Sequence, residues 1–401
     1  MKRILMSLIG LVFFMQISAQ KNVQWRGENR DGIYNETGLL DKWPENGPKM
    51  LWHFDELGVG HASAAVTEDV VYTAGTIDST GYIFAFDHNG KTLWKSAYGK
   101  EWIKDWDGVR STPVINDGKL YIISGYNNIT CFNAKSGNKI WSVDLLKDYD
   151  GRNIQWGICE NLVIDGEKLY CTPGGIDANV LALNKNTGKL IWKSKGNSEK
   201  SAYNSPLLIK LPKRELFVTM TANSIIGIDA SDGKLLWKHE QTNQYSVHAN
   251  TPVYNNGYIL CFSGYGRGGV MLKLSDDGGS VSKVWFSEAL DSRMGGMVYN
   301  DGRVYGSGDK NKRWMCADWK TGEELYSSDW IKVGNIIYAD GKQYWYGQDG
   351  MVALVKAGKT EFETISKFKI PYGSNQHWAH LVINNKRLYV RHGNSLMVYS
   401  I

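Results

Sequence analysis

One phrase recurs along this chain and constrains the fold more than any other feature. It reads IFAFDHNGKTLWK at 83–95, ITCFNAKSGNKIWS at 129–142, VLALNKNTGKLIWK at 180–193 and IIGIDASDGKLLWK at 225–238. With one tryptophan upstream and one downstream, the closing tryptophans stand at positions 52, 94, 141, 192, 237 and 285. The spacing between successive tryptophans leaves room for about four short strands per repeat.

Each repeat divides into short strands joined by tight turns. Segments rich in β-branched residues meet at Asn-Gly or Asp-Gly turns, as in TPVINDGKLYIIS at 112–124 and MVYNDGRVYG at 297–306. These turns supply the positive φ angles that tight hairpins require. A second turn, with glycine at 90, 137, 188 or 233, precedes the strand that carries the tryptophan. Four antiparallel strands per repeat are typical of a β-propeller blade.

The number of blades follows from counting first strands. They begin at about 62, 112, 160, 204, 250, 295, 333 and 379, which predicts eight blades. The sixth repeat has Tyr326 in the tryptophan's place, and we expect Phe362 or Phe368 to take it in the seventh. The last repeat supplies three strands, so KMLWHF at 49–54 is expected to complete its blade and close the ring. The prediction is an all-β, eight-bladed β-propeller over 49–401, with four antiparallel strands per blade.

The N-terminal residues predict export. Residues 1–20, MKRILMSLIGLVFFMQISAQ, have the basic start, apolar run and small residues of a cleaved signal peptide. The cleavage region has no cysteine for a lipid anchor, and no later stretch is long and apolar enough to span a bilayer. We expect a periplasmic or secreted monomer without a transmembrane segment. Residues 21–48 form an N-terminal extension, expected to lie over one face of the ring.

Charge and cysteine content exclude several classes of protein. Lys plus Arg number 46 and Asp plus Glu 41, without long runs of one sign, so nucleic acid is not an expected partner. The five cysteines are scattered without a CxxC pair, so the sequence predicts neither a zinc site nor a disulfide framework. No metal ligand set is predicted.

The candidate ligand site consists of residues that lead into the first strands. In a propeller these strands line the central channel, so such residues converge at one end of it. Aromatic faces hold planar or sugar rings, and Arg and His hold anions. In a purely structural propeller, the same polar groups would face channel water. The candidates are His61, Asp107, Arg110, Trp156, Glu160, Tyr203, Asn204, His248, Asn250, Arg293, Gln376, His377, Trp378 and His380.

The D-x-x-[TS]-G-x-x-x-W repeats resemble the tryptophan-docking repeats of the PQQ-like β-propeller superfamily, which includes quinoprotein dehydrogenases and BamB. The resemblance covers residues 49–401 and implies the fold, whereas such repeats are poor guides to activity. The leading interpretation is a binding or scaffold module rather than an enzyme. It would take a small-molecule or glycan ligand in the channel, or a protein partner on its rim.

Two enzymatic alternatives stay open. A quinoprotein-type oxidoreductase would bind pyrroloquinoline quinone (PQQ) and calcium. Arg110 and Arg293 would then hold the cofactor's carboxylates, Trp156 or Trp378 would form the floor, and Asp107 or Glu160 would serve as base or calcium ligand. The paired adjacent cysteines of the alcohol dehydrogenases are missing from the sequence.

The second alternative is a carbohydrate-acting enzyme such as a polysaccharide lyase. A base would remove the proton beside a carboxylate that a cation neutralises. The candidates for these roles are Tyr203, His61, His248 and Arg293.

Overall fold

The computed structural model describes residues 22–401, and these form eight antiparallel sheets around a central channel. This confirms the predicted eight-bladed propeller. The predicted signal peptide, residues 1–20, lies outside the described residues. The described part of the chain contains no helix whose length and apolar character would let it cross a membrane.

The first four blades each consist of four consecutive strands, ordered from the channel outwards. Blade 1 has Ala65–Val66, Val71–Ile77, Thr80–Phe86 and Thr92–Lys100; blade 2 has Val114–Asn116, Lys119–Ile123, Asn128–Asn133 and Lys139–Asp144. Blade 3 has Val163–Asp165, Lys168–Cys171, Val180–Asn184 and Leu190–Ser194; blade 4 has Leu207–Leu211, Arg214–Met220, Ser224–Asp229 and Leu235–Glu240. A short helix, Leu145–Asp148, follows blade 2 and is N-capped by the Asp144 side chain.

The remaining blades follow the same order except at the ring closure. Blade 5 has Val253–Asn255, Tyr258–Ser263, Gly268–Leu274 and Val281–Ser287; blade 6 has Met297–Asn300, Arg303–Ser307, Trp314–Asp318 and Glu324–Ser328. Blade 7 has Gly334–Ala339, Lys342–Gly347, Met351–Ala357 and Phe362–Lys369; blade 8 has Val382–Asn384, Arg387–His392, Ser395–Ser400 and, outermost, Met50–Phe54.

The ring closes as predicted, between the two ends of the chain. Met50–Phe54 pairs antiparallel with Ser395–Ser400, with Trp52 opposite Val398. The N-terminal strand therefore supplies the outer edge of blade 8, and every blade has a neighbour on both sides.

The recurring tryptophan joins each blade to the next. Trp141 of blade 2 donates its indole N–H to the carbonyl of Lys185 in blade 3, at 3.0 Å. Its ring covers Gly188, where a Cβ atom would lie 2.9 Å from the indole. Glycine in the third turn and tryptophan in the fourth strand thus form one contact between blades. The same donation to the next blade is made by Trp52, Trp192, Trp237 and Trp285.

Blades 6 and 7 depart from this pattern. Tyr326 takes the tryptophan's position, as predicted, and donates to the carbonyl of Gly358 in blade 7 at 2.8 Å. In blade 7 the residue opposite Leu354 is Ser366, but the ring that covers the glycine before the next blade's outer strand, Gly47, is that of Phe368, one of the two residues expected to replace the tryptophan. Blade 8 lacks a continuous third turn, and Gly47, in a turn just before its outer strand, is the glycine that the neighbouring ring covers.

The N-terminal extension fills the place left at blade 7. The amide of Trp43 donates to Ser366 Oγ at 2.9 Å, and its buried ring lies 5.4 Å from the ring of Phe368. The extension therefore supplies both the outer strand of blade 8 and the tryptophan that covers blade 7.

Residues 22–34 of the extension lie inside the channel, although the sequence suggested that the extension covers one face. Val23 bridges to Ile115 in blade 2, and Ile33–Tyr34 pairs parallel with the first strand of blade 7. The first strands have one edge without a neighbouring strand, so their backbone groups need other partners. Arg30 donates to the carbonyls of Asn161 and Leu162, and Arg26 to those of Met297 and Ile336.

Candidate functional site

A cavity of about 410 Å³ opens at one end of the channel. Loops that run from the fourth strand of one blade to the first strand of the next lie at this end, which we call the cavity end. The Asn/Asp-Gly and docking-glycine turns lie at the other, the turn end. The cavity is lined by Trp25, His61, Trp106, Arg110, Trp156, Cys159, Asn161, Tyr203, Ser205, Tyr245, Val247, Ala249, Tyr265, Arg293, Met294, Trp378 and His380.

The structure brings seven of the fourteen candidate residues together around this cavity. They come from the loops before blades 1, 2, 3, 4, 6 and 8. These seven are His61, Arg110, Trp156, Tyr203, Arg293, Trp378 and His380.

Three of the other candidates hydrogen-bond to the protein itself. Glu160 accepts from the amide and hydroxyl of Thr172, at 2.9 and 3.1 Å, and burial raises the pKa of its carboxyl to about 7. Asn204 donates to the carbonyl of Asn250, whose own amide donates to the carbonyl of Ser292 at 2.7 Å. Glu160 thus bonds within blade 3, whereas Asn204 and Asn250 join the segments before the first strands of neighbouring blades.

The remaining four candidates also lie outside the cavity lining. His248 is fully buried, and its Nε2 lies 3.4 Å from the carbonyl of Ala222. His377 hydrogen-bonds to the Tyr346 hydroxyl and stacks on another histidine ring. Asp107 is exposed and Gln376 is half-buried, away from the cavity.

Alternation along the chain separates the two groups. Residues 159 and 161 line the cavity whereas 160 does not, and the same holds for 203 and 205 around 204, for 247 and 249 around 248, and for 378 and 380. Successive side chains of extended backbone point to opposite sides, so the two sets differ by one position. Trp378 and His380 show the alternation by which every second residue before a first strand faces the cavity. The same alternation in the other blades could have indicated Cys159, Asn161, Ser205, Val247 and Ala249.

Four further aromatic residues line the cavity that the sequence reasoning missed. Trp25 belongs to the extension, Trp106 and Tyr245 to loops between blades, and Tyr265 to the second turn of blade 5. Trp106 and Tyr245 lie several residues before the first strands of blades 2 and 5, and Trp25 and Tyr265 belong to segments that precede no first strand, so their positions relative to the first strands did not indicate them. Trp106 is adjacent in sequence to the candidate Asp107.

The rings form two clusters on the cavity wall and one on its floor. In the first cluster, Trp378 lies 4.9 Å from His61 and 5.4 Å from Trp106, measured between ring centroids. The second contains Trp156, Tyr203, Tyr245 and Tyr265, with neighbouring centroids 4.8 to 6.1 Å apart. On the floor, Trp25 meets His380 edge-to-face at 4.8 Å. These surfaces suit a ligand with flat rings.

Two guanidinium groups give the cavity a positive charge. Arg110 donates to the carbonyl of Trp156, and Arg293 Nε lies 3.7 Å from Asp309 Oδ1. Among the described residues that line the cavity there is no Asp or Glu. The cavity therefore favours an anionic ligand, which Arg can bind through paired hydrogen bonds.

The cavity's histidines and thiol are uncharged at neutral pH. Burial, with help from Arg391 and Arg110, lowers the pKa of His61 to about 3, and burial beside Arg26 holds the pKa of His380 well below its usual value. Within residues 22–401 neither ring nitrogen of His61 has a hydrogen-bond partner. Burial raises the pKa of Cys159 to about 11, so its thiol stays protonated.

Comparison with known proteins settles the family. A family model described as outer membrane protein assembly factor BamB (PQQ_2) matches residues 79–328, more than half of the chain. The chain belongs to this family. The resemblance inferred from the repeats is thereby confirmed.

Curated relatives include both BamB and quinoprotein dehydrogenases. The quinoprotein alcohol dehydrogenase PedH of Pseudomonas putida is 23% identical over 270 residues, which are 64% of this chain and 41% of that protein. BamB of Bordetella pertussis is 29% identical over 127 residues, 30% of this chain and 28% of that protein. The matched region is less than half the length of either relative.

Solved structures show the same fold. BamB from Moraxella catarrhalis has a TM-score of 0.66 at 16% identity, over 88% of this chain and 100% of that one. Quinohemoprotein alcohol dehydrogenase from Comamonas testosteroni has a TM-score of 0.66 at 11% identity, over 96% and 82%. At such identities the likeness concerns the fold alone.

The cavity residues fit PQQ in part and calcium poorly. The aromatic walls and two arginines suit a flat anion such as PQQ. Calcium takes six to eight oxygen ligands, commonly carboxylates. Glu160 uses both oxygens on Thr172, Asp107 lies outside the lining, and residues 22–401 contain no group of three His, Cys, Asp or Glu placed to hold a metal. The described lining residues therefore offer few of the oxygen ligands that a calcium ion would need beside PQQ.

Proposed function

We propose that this protein is an exported, monomeric, non-catalytic binding module, and that its cavity takes an anionic ligand whose rings lie against aromatic side chains, either a small molecule with planar rings or a glycan. One observation carries the proposal: aromatic rings and two arginines surround a cavity without a lining carboxylate. Its volume of about 410 Å³ falls within the roughly 300–1,000 Å³ typical of small-molecule sites.

The protonation of the cavity groups favours binding over catalysis. A lyase needs a base, and burial raises the pKa of Tyr203 to about 12 while its hydroxyl accepts from the Trp156 amide at 3.2 Å. His61 is neutral and a weak base, and His248 lies outside the cavity. Two of the lyase candidates, Arg293 and Tyr203, do line the cavity, but neither is suited to remove a proton.

Calorimetric titration of the purified chain tests the proposal, with galacturonate and PQQ as anionic probes and galactose as the neutral control. We expect at least one anionic probe to bind with one site per chain, and galactose to bind far more weakly. Arg293→Leu should weaken binding of the anion about 10–100-fold, because it removes a charge-assisted hydrogen bond of about 1.5–3 kcal/mol.

The matched control is Trp330→Ala. Trp330 is exposed on a loop at the same end but does not line the cavity. This variant should bind as the unaltered protein does. Equal binding by Arg293→Leu, or no binding of either anion, would contradict the proposal.

A further inference from the structure

The cavity is closed at its inner end. Trp25 lies on the floor, and the neighbouring buried Arg26 donates to His380 Nδ1 at 2.8 Å and to the carbonyls of Met297 and Ile336 at 2.9 and 3.2 Å. One guanidinium thus connects the extension to blades 6 and 7 and to the loop before blade 8. A ligand enters and leaves through the same mouth, and a polymer cannot thread through the ring.

Two half-exposed rings stand at this mouth. Trp106 is 49% exposed and Tyr245 is 46% exposed, although both line the cavity. They belong to different aromatic clusters, on the loops before blade 2 and before blade 5. The Tyr245 amide donates to Asn243 Oδ1 at 3.0 Å, which fixes its loop. A ligand confined to the cavity would leave much of both rings in water, so the rings favour a ligand that continues outside.

The surroundings of these rings favour sugar units. Exposed polar residues flank them: Lys104, Asp105 and Asp107 beside Trp106, and Gln244 beside Tyr245. A lipid or an apolar helix would need a continuous apolar patch. Sugars present an apolar C–H face to an aromatic ring and hydroxyl groups to the polar residues around it. The two arginines inside the cavity add a requirement for negative charge.

We propose that the cavity holds the end of an acidic oligosaccharide chain, with its terminal unit between the two aromatic clusters. Its carboxylate meets Arg293, one of the two arginines of the lining, and the following units lie against Trp106 and Tyr245. This inference rests on the proposed function and specifies the ligand of the same site.

Chain length is the first test. Oligogalacturonates of one to six units are titrated into the protein, with neutral malto-oligosaccharides of equal length as controls. Affinity for the acidic series should rise at least about fivefold between one unit and four, since a well-packed aromatic contact exceeds about 1 kcal/mol. The neutral series should bind far more weakly at every length.

Paired variants separate the mouth from the cavity. Trp106→Ala and Tyr245→Ala should abolish the gain with length. Both rings also line the cavity, so the affinity for one galacturonate unit should fall as well, but by less than the affinity for four units. Trp330→Ala and Tyr372→Ala are the matched controls, because these residues are 36% and 41% exposed on loops at the same end without lining the cavity. Both controls should keep the full gain. Thermal unfolding verifies that every variant is folded.

Chain ends are the second test. Long polygalacturonate should bind protein in proportion to its number of ends, so partial hydrolysis at constant mass should raise the capacity in step with the ends released. If the amount of protein bound instead follows the mass of polygalacturonate, the protein does not recognise chain ends.

The remaining outcomes separate this inference from the proposed function. If one unit binds as tightly as six, or only PQQ binds, the chain inference is wrong and the anion-binding proposal stands. If no anionic probe binds, both fall. If oligothymidylate replaces the sugars with a similar dependence on length, the cavity end is a nucleic-acid site and the inference is wrong.

Discussion

The two ends of the ring differ in which residues adopt left-handed backbone. At the turn end, the non-glycine residues with positive φ include Asp117, Asn256, Asp301, Asp340 and Asn385, the residue types that tolerate this region best. At the cavity end, Asp78 and Asn127 also adopt it, but so do three aromatic residues, Trp106, Tyr203 and Tyr265, with φ angles of 59°, 63° and 62°. Aromatic residues gain nothing locally from this conformation, which costs about 1–3 kcal/mol each.

The comparison shows that one end of the ring stabilises the fold and that the other contains strained backbone. The turn end joins the blades, through inexpensive turns and indole contacts. The cavity end places three rings at a cavity in strained conformations that the rest of the fold must hold. Strain of this kind concentrates at functional sites, which agrees with a binding role for the cavity end.

The largest expected effect breaks the turn end. Trp192→Ala removes a buried ring that donates to the Ala230 carbonyl at 3.2 Å and covers Gly233. The free energy of unfolding should fall by about 3–5 kcal/mol. Urea unfolding measures it, with exposed Trp330→Ala expected to lose far less. An equal loss of unfolding free energy in both variants would show that the contact of Trp192 with Gly233 adds no more stability than an exposed tryptophan does.

A smaller effect concerns pH and the cavity end. Burial lowers the pKa of His248 to about 4, from 6.5 in the unfolded chain. The stability gained from keeping this histidine neutral is therefore present above pH 6.5 and is lost as the pH falls toward 4. Between pH 7.5 and 4.5, the advantage of the unaltered protein over His248→Gln should shrink by about 2–3 kcal/mol.

Comparing the two proteins in urea at each pH cancels the contribution of buried carboxyls such as Glu160, whose raised pKa acts with the opposite sign. A gap that does not change with pH would show that His248 does not titrate in this range.

The smallest effect sharpens the contrast in backbone strain. Asn256→Ala at the turn end should destabilise by about 1–2 kcal/mol, because alanine tolerates the left-handed region poorly. Trp106→Asn at the cavity end should leave stability unchanged or raise it by about 1 kcal/mol, since asparagine fits φ of 59° and the indole is half-exposed. Thermal unfolding compares the two. A loss of stability in Trp106→Asn as large as in Asn256→Ala would remove the contrast.

The fold was predictable because the same contact recurs in most repeats. A tryptophan at one position and a glycine at another identify those blades without knowledge of their neighbours, and the orphan strand at 49–54 identifies the closure. Ser366 was not predictable in this way, since its partner Trp43 lies 323 residues away in sequence. Nor did the sequence indicate that Arg26 and Arg30 would supply donors inside the channel.

The site was predictable only in part. Its location follows from the fold, and Arg110, Arg293, Trp156 and Trp378 follow from that location. Which of two adjacent residues faces the cavity depends on the phase of alternation before each strand, and a loop's reach depends on its conformation. The sequence therefore suggested Glu160, Asn204 and His248 as cavity residues, whereas the residues next to them in sequence line the cavity.

The pairing of Trp52 with Val398 has a consequence for how the chain matures. Blade 8 needs residues 50–54 and residues 395–400 together, so the ring stays open in a nascent chain until residues 395–400 have been made. Pairing between segments so far apart in sequence predicts that the native state forms slowly and cooperatively.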